Sequence, residues 1–205
     1  MNPKGTVTGL DLLLITKKAI ETTVRELECE WKKDPGSTLC VNGKTLAHDK
    51  IRTLLRWATN ARNNSYAPYS HFNVGAAILA GNLAGDLTIV DGSNVENAAY
   101  SPTLCAECAA AAKAVNEGFR RFHACAVVGG LDSSMSEGAR KAAAGEYVTP
   151  CGRCRQVLNE FESDSSCMII VAKDSGEVLL TTLDCLLPAG FGPANLGIDP
   201  LLYKP

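Results

Sequence analysis

Two pairs of cysteines make this chain a candidate for metal chemistry. Residues 105–108 read Cys-Ala-Glu-Cys, and residues 151–154, about forty positions further along, read Cys-Gly-Arg-Cys. Two separate pairs of thiols, each with two residues between its members, are typical of a zinc site. Glu107 lies inside the first pair. A carboxylate beside the metal favours a zinc ion that activates water over one that only stabilises the fold.

The spacing of the cysteines allows two kinds of zinc site. In a closed site all four sulfurs fill the tetrahedron, and the metal then only stabilises the fold. In an open site Cys108 stays outside, three sulfurs bind the metal, and one position remains for water, with Glu107 moving protons. The spacing alone does not distinguish the closed site from the open one.

Each pair lies where a loop is predicted to enter a helix. Pro102 comes shortly before the first pair and Pro150 directly before the second, and we predict helices over residues 105–116 and 151–161. A helix N-terminus has free N–H groups and the positive end of the helix dipole, and both stabilise thiolates. The two predicted helix starts therefore lower the free-energy cost of gathering several negative sulfurs around one metal.

Composition and charge restrict the class of protein. With 205 residues, 46% of them hydrophobic and 20% charged, the chain is typical of a soluble globular domain with a substantial core. A formal net charge of −2 argues against a surface that binds nucleic acid, which needs clustered Lys and Arg.

The sequence shows no apolar run of membrane-spanning length and no signal-peptide pattern, so we expect a cytoplasmic location with reduced thiols. The odd number of cysteines, 9, favours metal binding over complete disulfide pairing.

Residues 1–48 form a predicted N-terminal extension. Apolar side chains recur through residues 10–33 with the spacing of one helix face, which predicts an amphipathic helix that packs on the domain or on a partner subunit. Residues 34–36, Asp-Pro-Gly, end this helix. The dipeptide Asn42-Gly43 between two short apolar runs predicts a tight β-hairpin.

Residues 49–205 form the predicted main domain, in which strands and helices alternate. Short apolar strands between helices predict a sheet that is covered by helices on both faces. Residues 131–145 are rich in Ser, Gly and Ala and are expected to form an inserted surface loop. The other elements predicted from the pattern are a helix over residues 49–63, strands over residues 74–80, 87–93, 124–129 and 168–172, and a short helix near Leu183.

From about Ile51 to its end the chain resembles the small zinc-dependent cytidine deaminases. Five sequence blocks, in family order across roughly three-quarters of the chain, carry the resemblance: YAPYSHFNVGAA (66–77), NVENAAY (94–100), CAE (105–107), PCGRCRQ (150–156) and LLPAGFGP (186–193). Five ordered blocks are far more specific than a single C-x-x-C motif. The resemblance implies an α/β fold, a three-layer α/β/α sandwich with a mixed five-stranded sheet, preceded here by the N-terminal helical extension.

The same resemblance implies an enzyme of pyrimidine salvage. It would remove the amine of cytidine and deoxycytidine by hydrolysis and give uridine and deoxyuridine. One zinc ion per subunit would be held by Cys105, Cys151 and Cys154, with a water in the fourth position. Glu107 would take a proton from that water, carry it to the ring nitrogen and later protonate the leaving amine.

Five further residues are assigned to nucleoside binding by the resemblance. Asn94 and Glu96 would bind the ribose 3′-hydroxyl, Phe72 would pack against the nucleoside, and the backbone N–H of Ala106 would contact the base carbonyl. Phe191 would stack on the base in a neighbouring subunit's site, which implies a homotetramer. Without the resemblance, Asn94 and Glu96 would be interpreted as turn residues and the two phenylalanines as core aromatics.

Cys108 departs from the family pattern, because related three-cysteine enzymes usually carry there an arginine that hydrogen-bonds the thiolates. Either the helix dipoles offset the thiolate charge and the enzyme is active, or Cys108 becomes a fourth ligand and silences the site. Two functions therefore stand as alternatives to cytidine deamination. One is deamination of a modified cytosine nucleoside such as blasticidin S, against which residues 94–98 and 191–193 argue. The other is a catalytically silent zinc-binding paralogue closed by Cys108.

Overall fold

The computed structural model describes residues 38–162, 166–173 and 176–203. The amphipathic helix predicted over residues 10–33 lies outside these ranges, and the proposed division at residues 48 and 49 stays a prediction. Among the described helices, none combines the length and the apolar character that a bilayer-spanning helix needs.

The main domain is built on a mixed five-stranded sheet with the strand order β4-β3-β5-β6-β7. Neighbouring strands are antiparallel except for β5 and β6, which are parallel. The described elements, in chain order, are β1 (Thr38–Val41), β2 (Lys44–Ala47), α1 (His48–Arg62), β3 (Phe72–Gly81), β4 (Leu87–Ser93), α2 (Ala106–Asn116), β5 (Arg121–Leu131), α3 (Glu137–Ala143), α4 (Gly152–Glu160), β6 (Met168–Ala172), β7 (Val178–Thr182), α5 (Leu183–Leu186) and a 3-10 helix (Pro193–Leu196).

The hairpin predicted at Asn42-Gly43 is present. Strands β1 and β2 pair antiparallel, with Val41 opposite Lys44. The two turn residues have φ angles of 49° and 80°, and positive φ at both central positions is the requirement of a type I′ turn. Asn and Gly adopt this conformation at low cost, so the local sequence was sufficient to predict the turn.

Helices cover both faces of the sheet, as the alternation of strands and helices predicted. Side chains of β3 alternate between the two faces, with Ile78 on one and Leu79 on the other. The face of Leu79 is covered by α1, through its buried residues Ile51, Leu54 and Ala58. The face of Ile78 is covered by α2, α4 and α5, through Ala106, Ala110, Ala111, Ala114, Leu158 and Leu183. The two helices that follow the cysteine pairs therefore lie on the same face of the sheet.

Gly92 allows α2 to sit unusually close to strand β4. A Cβ atom at this position would lie 2.4 Å from the backbone nitrogen of Ala110 and 2.7 Å from the carbonyl oxygen of Ala106. Any side chain would push the helix away from the sheet, because both neighbouring atoms belong to the backbone. The glycine thus sets the depth at which the first cysteine pair is held.

Two predictions about elements were wrong or incomplete. Residues 131–145 are not one loop, since β5 continues to Leu131 and residues Glu137–Ala143 form α3. Ser136 caps this helix by accepting a hydrogen bond from the backbone nitrogen of Ala139 (3.2 Å), and Glu137 pairs with Lys141 one turn later (2.9 Å). No residue of α3 is buried, so the segment does lie at the surface. Strand β7 was not predicted, although it completes the sheet.

Candidate active site

Three cysteines converge between the N-termini of α2 and α4. Cys105 and Cys151 are the N-cap residues of these helices, as predicted, and Cys154 lies in the first turn of α4. The Sγ–Sγ distances are 3.9 Å for Cys105 and Cys151 and 3.4 Å for Cys151 and Cys154. All three sulfurs lie within 4.8 Å of one another. A tetrahedral zinc ion with Zn–S bonds of ~2.3 Å separates its sulfurs by ~3.8 Å, so the three thiols fit zinc in spacing and in ligand chemistry.

Cys108 stands outside this group. Its sulfur is 3.7 Å from the sulfur of Cys154. Among the described residues, however, the group whose ligand atoms all lie within 4.8 Å of one another consists of Cys105, Cys151 and Cys154 only. A closed site would need Cys108 close to all three of the other sulfurs. The geometry favours the open site, in which Cys108 borders one ligand without completing the tetrahedron.

Glu107 is buried in the first turn of α2, directly after the residues that begin the helix. Its side chain is 5% exposed, and burial raises the pKa of its carboxyl despite hydrogen bonds with its own backbone and with the thiol of Cys154. These contacts put the carboxyl beside a candidate zinc ligand. A raised carboxyl pKa suits a group that must both accept and donate protons near neutral pH.

The electrostatics of the cluster also involve a nearby arginine. The pKa of the Cys105 thiol is lowered to about 6, most strongly by its hydrogen bond with the Cys154 thiol and also by the positive charge of Arg153. Arg153 is exposed and donates through Nη1 to the carbonyl oxygen of Thr103 (3.1 Å). The segment that leads into α2 is thereby linked to the first turn of α4.

Asn94 is buried and holds the beginning of strand β3. Its Oδ1 accepts a hydrogen bond from the backbone nitrogen of Val74 (2.8 Å), and its Nδ2 donates to the carbonyl oxygen of Phe72 (2.9 Å). These bonds use one donor and one lone pair of the carboxamide, which has two of each. The ring of Phe72 is half-buried and lies over Gly129 of β5, where an added Cβ would be 3.0 Å from Cε1.

Glu96 binds the backbone of the loop before β3. Its Oε2 accepts from the backbone nitrogens of Tyr69 (2.9 Å) and Ser70 (3.2 Å). Partial burial acts to raise the carboxyl pKa, but hydrogen bonds from Ser70 and Tyr69 outweigh it, so the pKa lies below its ordinary value. Glu96 is therefore held as an anion at this site.

The segment from Asn94 to Glu96 is extended, and its backbone is bridged to the residue that precedes Cys105. Val95 forms a parallel bridge with Tyr66 and an antiparallel bridge with Leu104, which directly precedes Cys105. Residues two apart in an extended chain point to the same side. The pairing with Leu104 therefore joins the Asn-Val-Glu segment to the start of α2, a contact that the sequence motifs do not reveal.

The last two predicted substrate residues lie in different settings. Ala106 is the fully buried first residue of α2, where a backbone N–H has no intrahelical acceptor. Phe191 is 60% exposed. Its carbonyl oxygen accepts hydrogen bonds from Nε2 of Gln156 (2.8 Å) and Nδ2 of Asn159 (3.1 Å), both on α4. The backbone of Phe191 is thus anchored to α4 while its ring faces solvent.

Arg155 supports the cysteine site through hydrogen bonds, and the sequence interpretation did not single it out. Its guanidinium donates to the carbonyl oxygens of Pro150 (2.7 Å) and Leu186 (2.9 Å) and to Oγ1 of Thr149 (3.3 Å). These bonds hold the loop that delivers Cys151 against the end of α5. The available signal was its position inside the block of residues 150–156, directly after the second cysteine pair.

Comparison with known proteins identifies relatives over most of the described chain. The sequence model of the cytidine and deoxycytidylate deaminase zinc-binding region matches residues 48–170. The cytidine deaminase of Sporosarcina psychrophila is 40% identical over 146 residues, which are 71% of this chain and 94% of that protein.

Solved structures show the same relationship. The crystal structure of cytidine deaminase from Burkholderia pseudomallei has a TM-score of 0.56 at 35% identity and covers 68% of this chain and 98% of its own. That of cytidine deaminase from Mycobacterium tuberculosis has a TM-score of 0.51 at 37% identity and covers 69% of this chain and 96% of its own. At 35% and 37% identity, these two proteins are similar to this chain in sequence as well as in fold.

Proposed function

This chain belongs to the zinc-dependent cytidine deaminase family, and we propose on this basis that it converts cytidine and deoxycytidine to uridine and deoxyuridine by hydrolysis. The observation that supports this most directly is the convergence of three thiols at zinc spacing, with Glu107 buried beside them. Three protein ligands leave one coordination position for a reacting water, which a structural four-ligand site does not.

The catalytic chemistry divides between the metal and Glu107. Zinc on three thiolates, when bound, supplies the Lewis acidity that makes water nucleophilic near neutral pH. We assign to Glu107 the transfer of a proton from the attacking water to the ring nitrogen N3 as the new C4–O bond forms. Glu107 then moves a second proton to the amine, so that the C4–N bond breaks and ammonia leaves. Its raised pKa supports this double role.

Binding of the nucleoside is assigned to the residues around the start of β3. Both backbone hydrogen bonds to Glu96 go to Oε2, so we assign Oε1, together with Asn94, to the ribose 3′-hydroxyl. The ring of Phe72 packs against the nucleoside, and the N–H of Ala106 donates to the base carbonyl. The link of Val95 to Leu104 supports this arrangement because it ties the ribose site to the cysteine site.

Two alternative functions are not favoured. Deamination of a modified nucleoside such as blasticidin S has no support among the similar proteins described above, which are cytidine deaminases. A silent zinc protein would need Cys108 as a fourth ligand, and the group of converging thiols does not include it. We assign the reaction to pyrimidine salvage in the cytoplasm, where thiols stay reduced and available for zinc binding.

The proposed function is tested by a substrate panel with the purified full chain. Cytidine, deoxycytidine, cytidine monophosphate and blasticidin S are each followed by the ultraviolet absorbance of the cytosine ring, with zinc quantified in parallel. We expect cytidine and deoxycytidine to react with kcat/KM of ~10⁴ M⁻¹s⁻¹ or more. Zinc-loaded protein that leaves both nucleosides unchanged would contradict the proposal.

We further propose a homotetramer in which Phe191 completes a neighbouring subunit's site. Phe191 is 60% exposed, yet its backbone is held by two side chains of α4. An aromatic residue with a fixed backbone is suited to stacking on a base, because no backbone conformational entropy has to be lost when it binds. This arrangement makes assembly necessary for full activity.

Phe191→Ala is expected to lower kcat/KM for cytidine roughly 10-fold to 100-fold, since stacking of one base on an aromatic ring contributes ~1–3 kcal/mol. Leu196→Ala, on the same tail and 66% exposed, is the matched control and should react normally. Mixed oligomers of Phe191→Ala and Glu107→Gln chains should be more active than oligomers of either variant alone. In the mixed oligomers, a site that keeps Glu107 can receive Phe191 from the other chain. Mixed oligomers without any recovery would show that Phe191 serves its own subunit.

A further inference from the structure

We propose that Arg153 is a positioning residue of the metal centre, whose guanidinium offsets the negative charge of the three zinc thiolates from the groove between α2 and α4. The inference rests on the proposed zinc site and assigns a role to a residue that lies inside the second cysteine pair but does not bind the metal.

The proposed site carries an excess of negative charge. Three thiolates on a divalent ion leave one net negative charge, and an ionised Glu107 beside them adds a second. The N-termini of α2 and α4 contribute only about half a positive charge each. Cys108 borders Cys154 at 3.7 Å, but a thiol brings no positive charge. A nearby cation would therefore stabilise the thiolates and strengthen zinc binding.

Arg153 lies where such a cation is effective. It belongs to the first turn of α4, between the ligands Cys151 and Cys154. Its Nη1 donates to the carbonyl oxygen of Thr103 at 3.1 Å, two residues before the third ligand, Cys105. The guanidinium therefore bridges the two segments that supply the sulfurs.

The surroundings of Arg153 include residues of the first cysteine pair and the residue before it. Arg153 lines a groove of about 530 Å³ together with Leu104 and Cys108, between α2 and α4. Its positive charge is one of the weaker contributions that lower the pKa of the Cys105 and Cys108 thiols, after the hydrogen bond that each makes with Cys154. Most of the remaining groove lining is apolar, namely Ala111, Ala112, Val115, Val157 and Phe161. These side chains reduce the screening of the charge on the side of the groove, while solvent and salt screen it on the exposed side of Arg153.

The neighbouring Arg155 has a different task. Its guanidinium donates hydrogen bonds to Pro150, Leu186 and Thr149 and so holds the loop before α4 in place. Substitution of Arg155 would therefore change the structure as well as the charge, which makes it unsuitable as a control for charge alone. For Arg153 the protein contact identified is the hydrogen bond to Thr103. A glutamine can replace that hydrogen bond but not the charge, which allows the two roles to be separated.

The test is the zinc dissociation constant of the full chain, measured by competition with a chromophoric chelator for Arg153→Lys, Arg153→Gln, Arg153→Met and Arg153→Glu. We expect Lys to stay within about twofold of the parent, Gln and Met to weaken zinc binding about three- to tenfold, and Glu to weaken it by ~10–100-fold. The differences should shrink in 1 M NaCl, where the Debye length falls from ~10 Å at 0.1 M to ~3 Å.

The possible results separate charge from structure. A Gln variant that binds zinc like the parent while the Met variant binds it weakly would overturn the inference in favour of the hydrogen bond to Thr103. Equal zinc affinity in all variants would overturn it as well, with the zinc site itself intact. Failure of the parent chain to bind zinc would refute the proposed function instead. Thermal unfolding of each zinc-free variant checks that the fold is retained.

A second measurement of zinc affinity uses substitutions of Cys108, which lies next to the ligand Cys154. In the Arg153→Gln background, Cys108→Arg should restore at least half of the lost zinc affinity on a logarithmic scale, because it supplies a cation in the same groove. Cys108→Met, which changes size without charge, is the control and should restore none. Restoration by both substitutions, or by neither in folded protein, would count against a role for charge.

Discussion

Glutamine in place of Glu107 is expected to lower kcat for cytidine by ~10³-fold or more while the chain retains one zinc ion. Glutamine matches the carboxyl in size and fills the same buried space, but it cannot take a proton from water or give one to the base. Proton transfer by a positioned side chain contributes ~10²–10⁴-fold to the rate, and Glu107 would serve two such transfers. The measurement is single-turnover conversion of cytidine beside metal quantification.

The matched control for this experiment is Glu117→Gln. Glu117 is the exposed C-cap residue of the same helix, α2, and its replacement should leave kcat unchanged. Glu107→Gln protein that retains more than a tenth of the parent rate would remove Glu107 from the proton transfers. Loss of zinc in this variant would instead indicate that Glu107 supports the metal site.

Cys151→Ala is expected to weaken zinc binding by more than ~100-fold and to abolish deamination, whereas Cys108→Ala should keep one zinc ion per chain. Loss of an outer-shell partner already costs ~10–100-fold in affinity, and loss of a direct ligand costs more. The two alanines separate the open site from the closed one, because the closed site loses a ligand in both variants. Zinc content after dialysis against a chelator, and activity before and after zinc is added back, are the measurements.

The control for general effects of thiol removal is Cys40→Ala, at an exposed position of β1. It should bind zinc and deaminate cytidine like the parent chain. Equal loss of zinc from Cys108→Ala and Cys151→Ala would establish a site with four sulfur ligands and would refute the proposed deaminase activity.

Much of the local structure followed from short-range sequence signals. The turn at Asn42-Gly43 and the helix starts after the two prolines needed no tertiary information, because backbone preferences of a few residues determine them. Strand β7 was missed because the short apolar run at residues 178–180 is ambiguous without its neighbour β6. The helix α3 was missed although Ser136 and Glu137 are recognisable start signals, since the composition of the segment was given more weight than its caps.

For the candidate site, too, the sequence predicted some features and the tertiary structure was needed for others. Residue types and spacing were enough to predict zinc, a carboxylate for proton transfer and thiols at helix N-termini, because these depend on chemistry and local backbone. The spacing left open which sulfurs bind the metal, and the packed structure brings together Cys105, Cys151 and Cys154, the three that the family resemblance implied. Only the packed structure revealed that Val95 bridges to Leu104 and that Arg153 donates to Thr103. The cysteine cluster and the hydrogen bond from Arg153 to Thr103 join residues far apart in the chain. Such contacts arise when α2 and α4 pack on one face of the sheet, with Gly92 setting how closely α2 approaches it.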